Sequence, residues 1–190
     1  MKEKIIEGIR FFLPDENIDL TEFLTLFKEK KNIKRNEFLV KPGINPDYLS
    51  FIISGSFRVF YIDKKGNEIT TWFAFPNMWV TDLWAYYTGK KAKYYVKAME
   101  KSEIFIIKKN ELNKIYKNNP LYLNFAKNFA EYGMIMMMQR CDRLQALTAK
   151  ERYLELLKMP IIKHNVPYKY IASYLGITET SLSRLKKELF

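Results

Sequence analysis

VPYKYIASYLGITETSLSRLKKELF, residues 166–190, is the stretch whose reading decides the fold. From Tyr168 onward, Ile171, Ala172 and Leu175 recur at helical spacing. Gly176 interrupts the pattern where a glycine of positive φ would end a helix. Thr178 offers a side-chain cap for a second helix that turns Leu182, Leu185 and Leu189 inward. Ala172 lets the two helices cross closely, and Leu182 and Leu185 pack back onto the first. Two helices so joined make a helix-turn-helix, whose second helix can enter the major groove of DNA. The same residues also suit an ordinary αα-hairpin at the end of a helical domain.

Upstream, Thr148-Ala149-Lys150-Glu151 is a capping-box sequence and marks a fresh helix start. The helix it opens is expected to turn Tyr153, Leu154 and Leu157 inward and to end at Pro160; residues 164–167, which include the lone His164, lead on into the helix-turn-helix. Before it lies the longest helical pattern, residues 121–147, in which Phe125, Phe129, Tyr132, Met136, Arg140, Arg143 and Leu147 recur at intervals of three and four. Phe129, Gly133, Met136, Met137 and Arg140 make a second stripe. A helix of about 27 residues would run about 40 Å, longer than a small domain needs. That length suits packing against a second copy, with Gly133 allowing close approach and the methionines filling irregular gaps. The stripe is wide enough for burial against the chain's own sheet as well. Leu147 to Thr148 is the expected hinge.

Further upstream the periodicity changes. Residues 38–40, 48–53, 57–62, 69–75, 94–99 and 104–107 are short runs rich in β-branched and aromatic side chains. Pro42-Gly43, Ser54-Gly55, Lys65-Gly66-Asn67, Pro76-Asn77 and Thr88-Gly89 punctuate them. Strands at this spacing imply an antiparallel sandwich or barrel. Residues 1–30 read as two helical pieces, with Ile5, Ile6 and Ile9 on the first. Leu20, Phe23, Leu24 and Phe27 lie on the second, capped by Asp19 or Thr21. The charge run 28–34 reads as a solvated face. Residues 109–117 form a short helix ended by Asn118-Asn119-Pro120.

The chain has 190 residues, 48% of them hydrophobic and 16% aromatic, enough for one large or two small cores. Its net charge of +11 and pI of about 9.5 suit a polyanionic partner, nucleic acid or an acidic membrane surface. A single cysteine, Cys141, excludes an internal disulfide framework and a cysteine-rich zinc or iron–sulfur site. One histidine leaves no cluster for a metal enzyme of cupin type, so neither enzymatic activity, metal nor cofactor is expected. Residues 1–10 hold no secretory apolar segment, and no run is long enough to cross a bilayer. A cytoplasmic setting with no membrane partner is expected.

The order of β-roll, long helix, hinge and helix-turn-helix resembles the Crp/Fnr family of bacterial transcription regulators. Ala172, Gly176, Leu182 and Leu185, Ser183-Arg184, and Ile52-Ile53-Ser54-Gly55-Ser56 carry the resemblance, which covers nearly the whole chain. Residues 168–178 look like the version common in Bacteroidetes-like bacteria. The resemblance implies an α+β fold. A jelly-roll-like antiparallel sensor β-roll with its N-terminal helices would occupy 1–120, a central dimerisation helix 121–147, and a helix-turn-helix domain without an evident β-wing 148–190. It implies a homodimer on inverted-repeat promoter sites, with RNA polymerase and an unidentified small-molecule effector as further partners. Base reading falls on Glu179, Thr180 and Arg184. Arginine can grip guanine with two parallel bonds, and a glutamate can accept from cytosine. Lys169, Thr178, Ser181, Ser183 and Lys187 are placed for phosphates.

Cyclic-nucleotide binders of this family carry a Gly-Glu pair and an Arg-Ser/Thr-Ala segment that hold the ribose and the cyclic phosphate. Here those positions hold Thr81-Asp82 and Ala92-Lys93-Tyr94. A lysine one residue on cannot replace the arginine fork. The positions that offer polar groups to the base fall near Met137 and Met138. Trp79, Thr81, Asp82, Lys93, Tyr94 and Met137 are the pocket candidates, among bulky neighbours such as Trp84 and Tyr86. No cyclic AMP or GMP binding is expected. Either side chains fill the pocket, or it takes an apolar or aromatic effector with an acidic group near Lys93. A ligand-sensing or scaffolding β-roll protein without DNA binding is the alternative function.

Overall fold

A computed structural model describes residues 2–159 and 165–189; Pro160, His164 and Phe190 lie outside the described residues. The described strands are β1 (Glu29–Ile33), β2 (Phe38–Val40), β3 (Tyr48–Ser54), β4 (Phe57–Ile62), β5 (Glu68–Ala74), β6 (Trp79–Val80), β7 (Tyr95–Ala98) and β8 (Ser102–Lys108). They form two four-stranded sheets, ordered β1-β8-β3-β6 and β2-β7-β4-β5. The pairs β1–β8, β3–β8, β3–β6 and β2–β7 are antiparallel. The helices are α1 (Lys2–Arg10), α2 (Thr21–Leu24), α3 (Leu83–Thr88), α4 (Lys109–Asn118), α5 (Leu123–Ala146), α6 (Ala149–Leu157), α7 (Tyr168–Leu175) and α8 (Glu179–Leu189), with a 3-10 turn at Pro120–Tyr122 before α5. No described helix is long and apolar enough to cross a membrane. The architecture is the expected α+β roll followed by helices.

The chain divides into two compact units, Met1–Val59 with Phe73–Gly133, and Phe60–Trp72 with Met134–Phe190. The second joins the tip of the β4–β5 hairpin and the far half of α5 to the C-terminal helices.

In the first unit, Leu49 and Phe51 of β3 and Phe105 and Ile107 of β8 share a buried cluster with Ile9, Phe23, Trp79, Leu112, Phe125 and Phe129. Alternate residues Ser50, Ile52, Ile104 and Ile106 are buried too, so this sheet is covered on both faces. That is why its strands read as unbroken apolar runs. Phe12 meets Phe125 and Phe129 edge-on at 5.5 and 5.1 Å, and Trp79 meets Phe125 at 5.2 Å. Gly8 lets α1 lie close against β3: a Cβ there would lie 2.3 Å from the Phe51 ring. Gly55 turns between β3 and β4 at φ 87°, and a Cβ would meet Ser102 at 2.1 Å. Only glycine satisfies both demands.

Three expectations need correction. Residues 28–34 are exposed except for the buried Ile33, but 29–33 are the edge strand β1, paired to β8 and braced by Lys30 on Glu103 at 2.8 Å. Lysines on a sheet edge blunt it against pairing with another chain, so a strand can look like a solvated charge run. The second N-terminal helix is therefore only four residues long, with Leu20 as its formal cap and Asp19 accepting from the Thr21 amide at 2.9 Å. In α6 the buried residues are Tyr153 and Leu156, while Leu154 is 41% exposed and Leu157 is half-buried. β6 and α3 were not expected. β6 has only two residues, too few for a period, and the Asp82 and Gly89 that bound α3 look like turn residues in sequence.

Candidate nucleic-acid interface and sensor site

In the second unit the helix-turn-helix forms as its spacing predicts. Ile171, Ala172 and Leu175 of α7 are buried. Gly176 ends α7 in the left-handed region at φ 70°, and Ile177 N–H donates to the Ala172 carbonyl at 3.0 Å. The Thr178 hydroxyl accepts from the Ser181 amide at 3.1 Å and meets the Ser181 hydroxyl at 2.9 Å, capping α8. Leu182 is buried and Leu185 half-buried. The opposite side of α8 is left outward: Glu179, Thr180, Ser183, Arg184 and Lys187 are exposed. Thr180, Arg184 and Lys187 follow one another at helical intervals on one face. Lys169 is exposed too, its ammonium 5.1 Å from the Tyr170 ring centre. Lys186 differs. It donates to the Tyr168 hydroxyl and lies over that ring at 4.4 Å, which ties α8 to the start of α7 and holds its ammonium above the usual lysine range.

A second feature of this unit has no counterpart in the sequence reading. The Ser173 hydroxyl on α7 donates to the Glu68 carbonyl at 2.7 Å and accepts from the Thr70 amide at 2.9 Å. Arg140 on α5 donates to the carbonyls of Thr70 and Tyr174 at 3.1 and 3.0 Å, its guanidinium 3.9 Å from the Tyr174 ring centre. Hairpin, long helix and first helix of the helix-turn-helix are thus stapled at one point. Serine on a helix is too common a residue to signal such a contact.

The five residues of the expected dimer stripe lie in different surroundings. Phe129 is spent in the core of its own unit, and Arg140 on the staple. Gly133 is half-buried, 3.6 Å between a built Cβ and Leu83. Met136 is half-buried. Met137 alone of the five is exposed, and it belongs to another stripe: Met134, Met137, Met138, Cys141 and Leu144 are all exposed. Met134 and Met138 are 58% and 59% exposed, unusual for side chains that gain most from burial. The period of three and four is shared by both stripes, so sequence could not say which one faces inward.

The sensor candidates, in the first unit, are also redistributed. Trp79 is in the core and donates to the Gly8 carbonyl at 3.2 Å. Asp82 is 1% exposed and fully engaged: one carboxylate oxygen accepts from the Ala85 amide at 3.0 Å, the other from the Lys93 and Tyr94 amides at 2.9 Å each. Its charge caps α3 and holds the 92–94 segment. Thr81 is buried, with its hydroxyl oxygen unpaired. Lys93 is exposed and lies over the Trp84 ring at 4.0 Å. Asp82, Lys93, Tyr94 and Thr81 are thus brought together, but Trp79 sits in the core and Met137 belongs to the other unit.

The described elements are a roll of two four-stranded sheets, a long helix and a helix-turn-helix. Residues 30–119 match the model of the cyclic nucleotide-binding domain family. The whole chain has the fold of the Crp/Fnr transcriptional regulators. It is similar to FixK2 from Bradyrhizobium japonicum at 17% identity and a TM-score of 0.73, covering 84% of this chain and 83% of that one. It is similar to TTHA1359, a Crp/Fnr-family transcriptional regulator from Thermus thermophilus, at 18% identity and a TM-score of 0.65 over 85% of each. A third similar structure is CLP, a c-di-GMP-responsive global regulator from Xanthomonas campestris, at 15% identity and 0.70, covering 90% of this chain and 89% of that one. No curated protein sequence matches the chain.

Proposed function

We propose that the protein is a DNA-binding transcriptional regulator of Crp/Fnr type that acts as a homodimer on inverted-repeat sites. The observation that carries this reading is the outward face of α8, where Thr180, Arg184 and Lys187 project from a helix whose other side is locked to α7. Arg184, Thr180 and Glu179 read bases; Lys169, Ser183 and Lys187 hold phosphates. Thr178 and Ser181 serve first as the cap of α8. The exposed stripe of Met134, Met137, Met138 and Cys141 is the dimer seam. Oxidation would then link Cys141 to its own copy, and monomer after mild oxidant at micromolar protein would refute that seam.

The β-roll does not bind a cyclic nucleotide. Asp82 already takes the backbone amides of Lys93 and Tyr94, and no arginine stands at the position the phosphate would need. Arg58, Phe57, Phe73 and Phe75 are fully buried, which favours a roll filled by its own side chains over one open to an effector. Selection of bound duplexes from random DNA tests the whole reading. It should return a two-fold-symmetric site with half-sites about 34 Å apart. Lys187→Ala should weaken every duplex alike and flatten the salt dependence by about one unit. Recovery of no preferred sequence would favour the scaffolding alternative.

A further inference from the structure

Within the second unit, the end of α5, α6 and α7 border a half-open cavity of about 230 Å³. Its wall carries four cations, Arg140, Arg143, Arg152 and Lys158, against one carboxylate, Glu155. Leu144, Leu156 and Tyr174 add apolar surface. Most of these charges are already occupied. Arg140 is held by the carbonyls of Thr70 and Tyr174. Arg152 donates to the Leu147 carbonyl at 2.6 Å and the Leu144 carbonyl at 3.3 Å, and its Nε is buried without a partner. Lys158 pairs with Glu155 at 2.7 Å. Arg143 is the exception: among the described residues its charge partner, Glu155, is 3.9 Å away, beyond hydrogen-bond reach. A guanidinium fork left open beside an apolar wall, in a cavity with surplus positive charge, is the arrangement that receives a carboxylate or phosphate in two parallel bonds.

We propose that this cavity binds a small organic anion with an apolar body, an aryl or short-chain carboxylate or phosphate monoester, with Arg143 gripping the anionic group. The volume is below the roughly 300–1,000 Å³ of drug-sized sites, which limits the occupant to about one ring or a short chain. The anion would draw Arg143 from Glu155 and touch α5, α6 and α7 together. Its influence on DNA binding rests on the regulator reading above; the binding itself does not.

The test is calorimetric titration of the full chain, without DNA, with benzoate, phenyl phosphate and neutral benzyl alcohol. One of the two anions should bind and the alcohol should not. Tighter benzoate assigns the site to carboxylates, tighter phenyl phosphate to phosphate monoesters. Arg143→Gln should weaken the bound anion about tenfold or more, the range of a lost bidentate charge-assisted pair. Arg143 is about half exposed, so this change leaves the fold intact. Lys93→Gln, in the β-roll, should leave the affinity unchanged. Absence of binding by both anions up to about 10 mM overturns the proposal. So does unaltered affinity in Arg143→Gln, or a loss confined to Lys93→Gln. None of these failures would touch the DNA-reading assignment, which duplex selection tests separately.

Discussion

The segment from Trp79 to Tyr94 and the helix α8 both carry side chains of the sort that bind ligands, and they use them in opposite directions. Asp82 is enclosed and accepts three backbone amides. Lys93 lies on Trp84, and Trp79 donates inward to Gly8. On α8 the inward duties fall to Leu182 and the Thr178 cap, which leaves Arg184, Thr180 and Lys187 to solvent. A polar group satisfied by its own chain gains little from a ligand and would lose its existing bonds to reach one. This contrast is what supports placing the proposed function on the helix, where the chain leaves hydrogen-bonding capacity open.

The largest effect that can test this contrast is Asp82→Ala. It strands three backbone donors, the buried Ala85 amide and the part-buried Lys93 and Tyr94 amides, at about 1–3 kcal/mol for each that water cannot reach. A loss of about 2–3 kcal/mol is expected in urea unfolding. A variant as stable as the parent would mean that the carboxylate is spare and open to a ligand. Next in size is Arg184→Ala, which should remove about 1–3 kcal/mol of discrimination at one base position and leave unfolding unchanged. Equal affinity of the parent for every duplex tested would sink Arg184 as a base reader.

The helix-turn-helix was legible because each of its parts rests on local chemistry: a buried alanine, a left-handed glycine and a threonine cap within eleven positions. The runs at 48–53 and 104–107 were legible as strands because covered sheets need unbroken apolar sequence. β1 was not, because an edge strand needs only backbone pairing and its side chains carry no period. The facing of α5 was not legible either. Phe125 and Phe129 turn inward against Phe12 and Trp79, contacts from distant segments that no spacing encodes. Arg140 and Arg143, three residues apart, ended in different roles: one stapled to the hairpin, the other open to the cavity.

The staple allows an intermediate case, a side chain neither enclosed nor free. Ser173→Ala should cost about 1–2 kcal/mol, the net value of the two ordinary hydrogen bonds its hydroxyl makes. The informative reading is local. Hydrogen exchange at the Thr70 amide should speed up, because its acceptor is the deleted hydroxyl. Unchanged exchange there would mean that the hairpin is held by Arg140 alone.

The smallest expected effect concerns Glu151, which is exposed yet satisfied by its own chain. Its carboxylate accepts from the Thr148 hydroxyl at 2.7 Å and the Thr148 amide at 2.8 Å, while the Thr148 hydroxyl accepts from the Glu151 amide at 3.3 Å. These bonds, the hydroxyl's first, hold the carboxyl below its ordinary 4.5. A depressed acid stabilises the folded state above its unfolded pKa, and that contribution is lost as pH falls through the lower folded value. Protection of the Thr148 amide should therefore be level above the ordinary 4.5 and decline only as the pH falls below it. Asp19, Asp63 and Glu155 are depressed as well, so global acid unfolding mixes several groups. Glu151→Gln separates them. It keeps an acceptor for the Thr148 amide and removes the titration, so the decline at that amide should flatten in the variant. The same decline in both proteins would show that the α6 cap titrates through some other group.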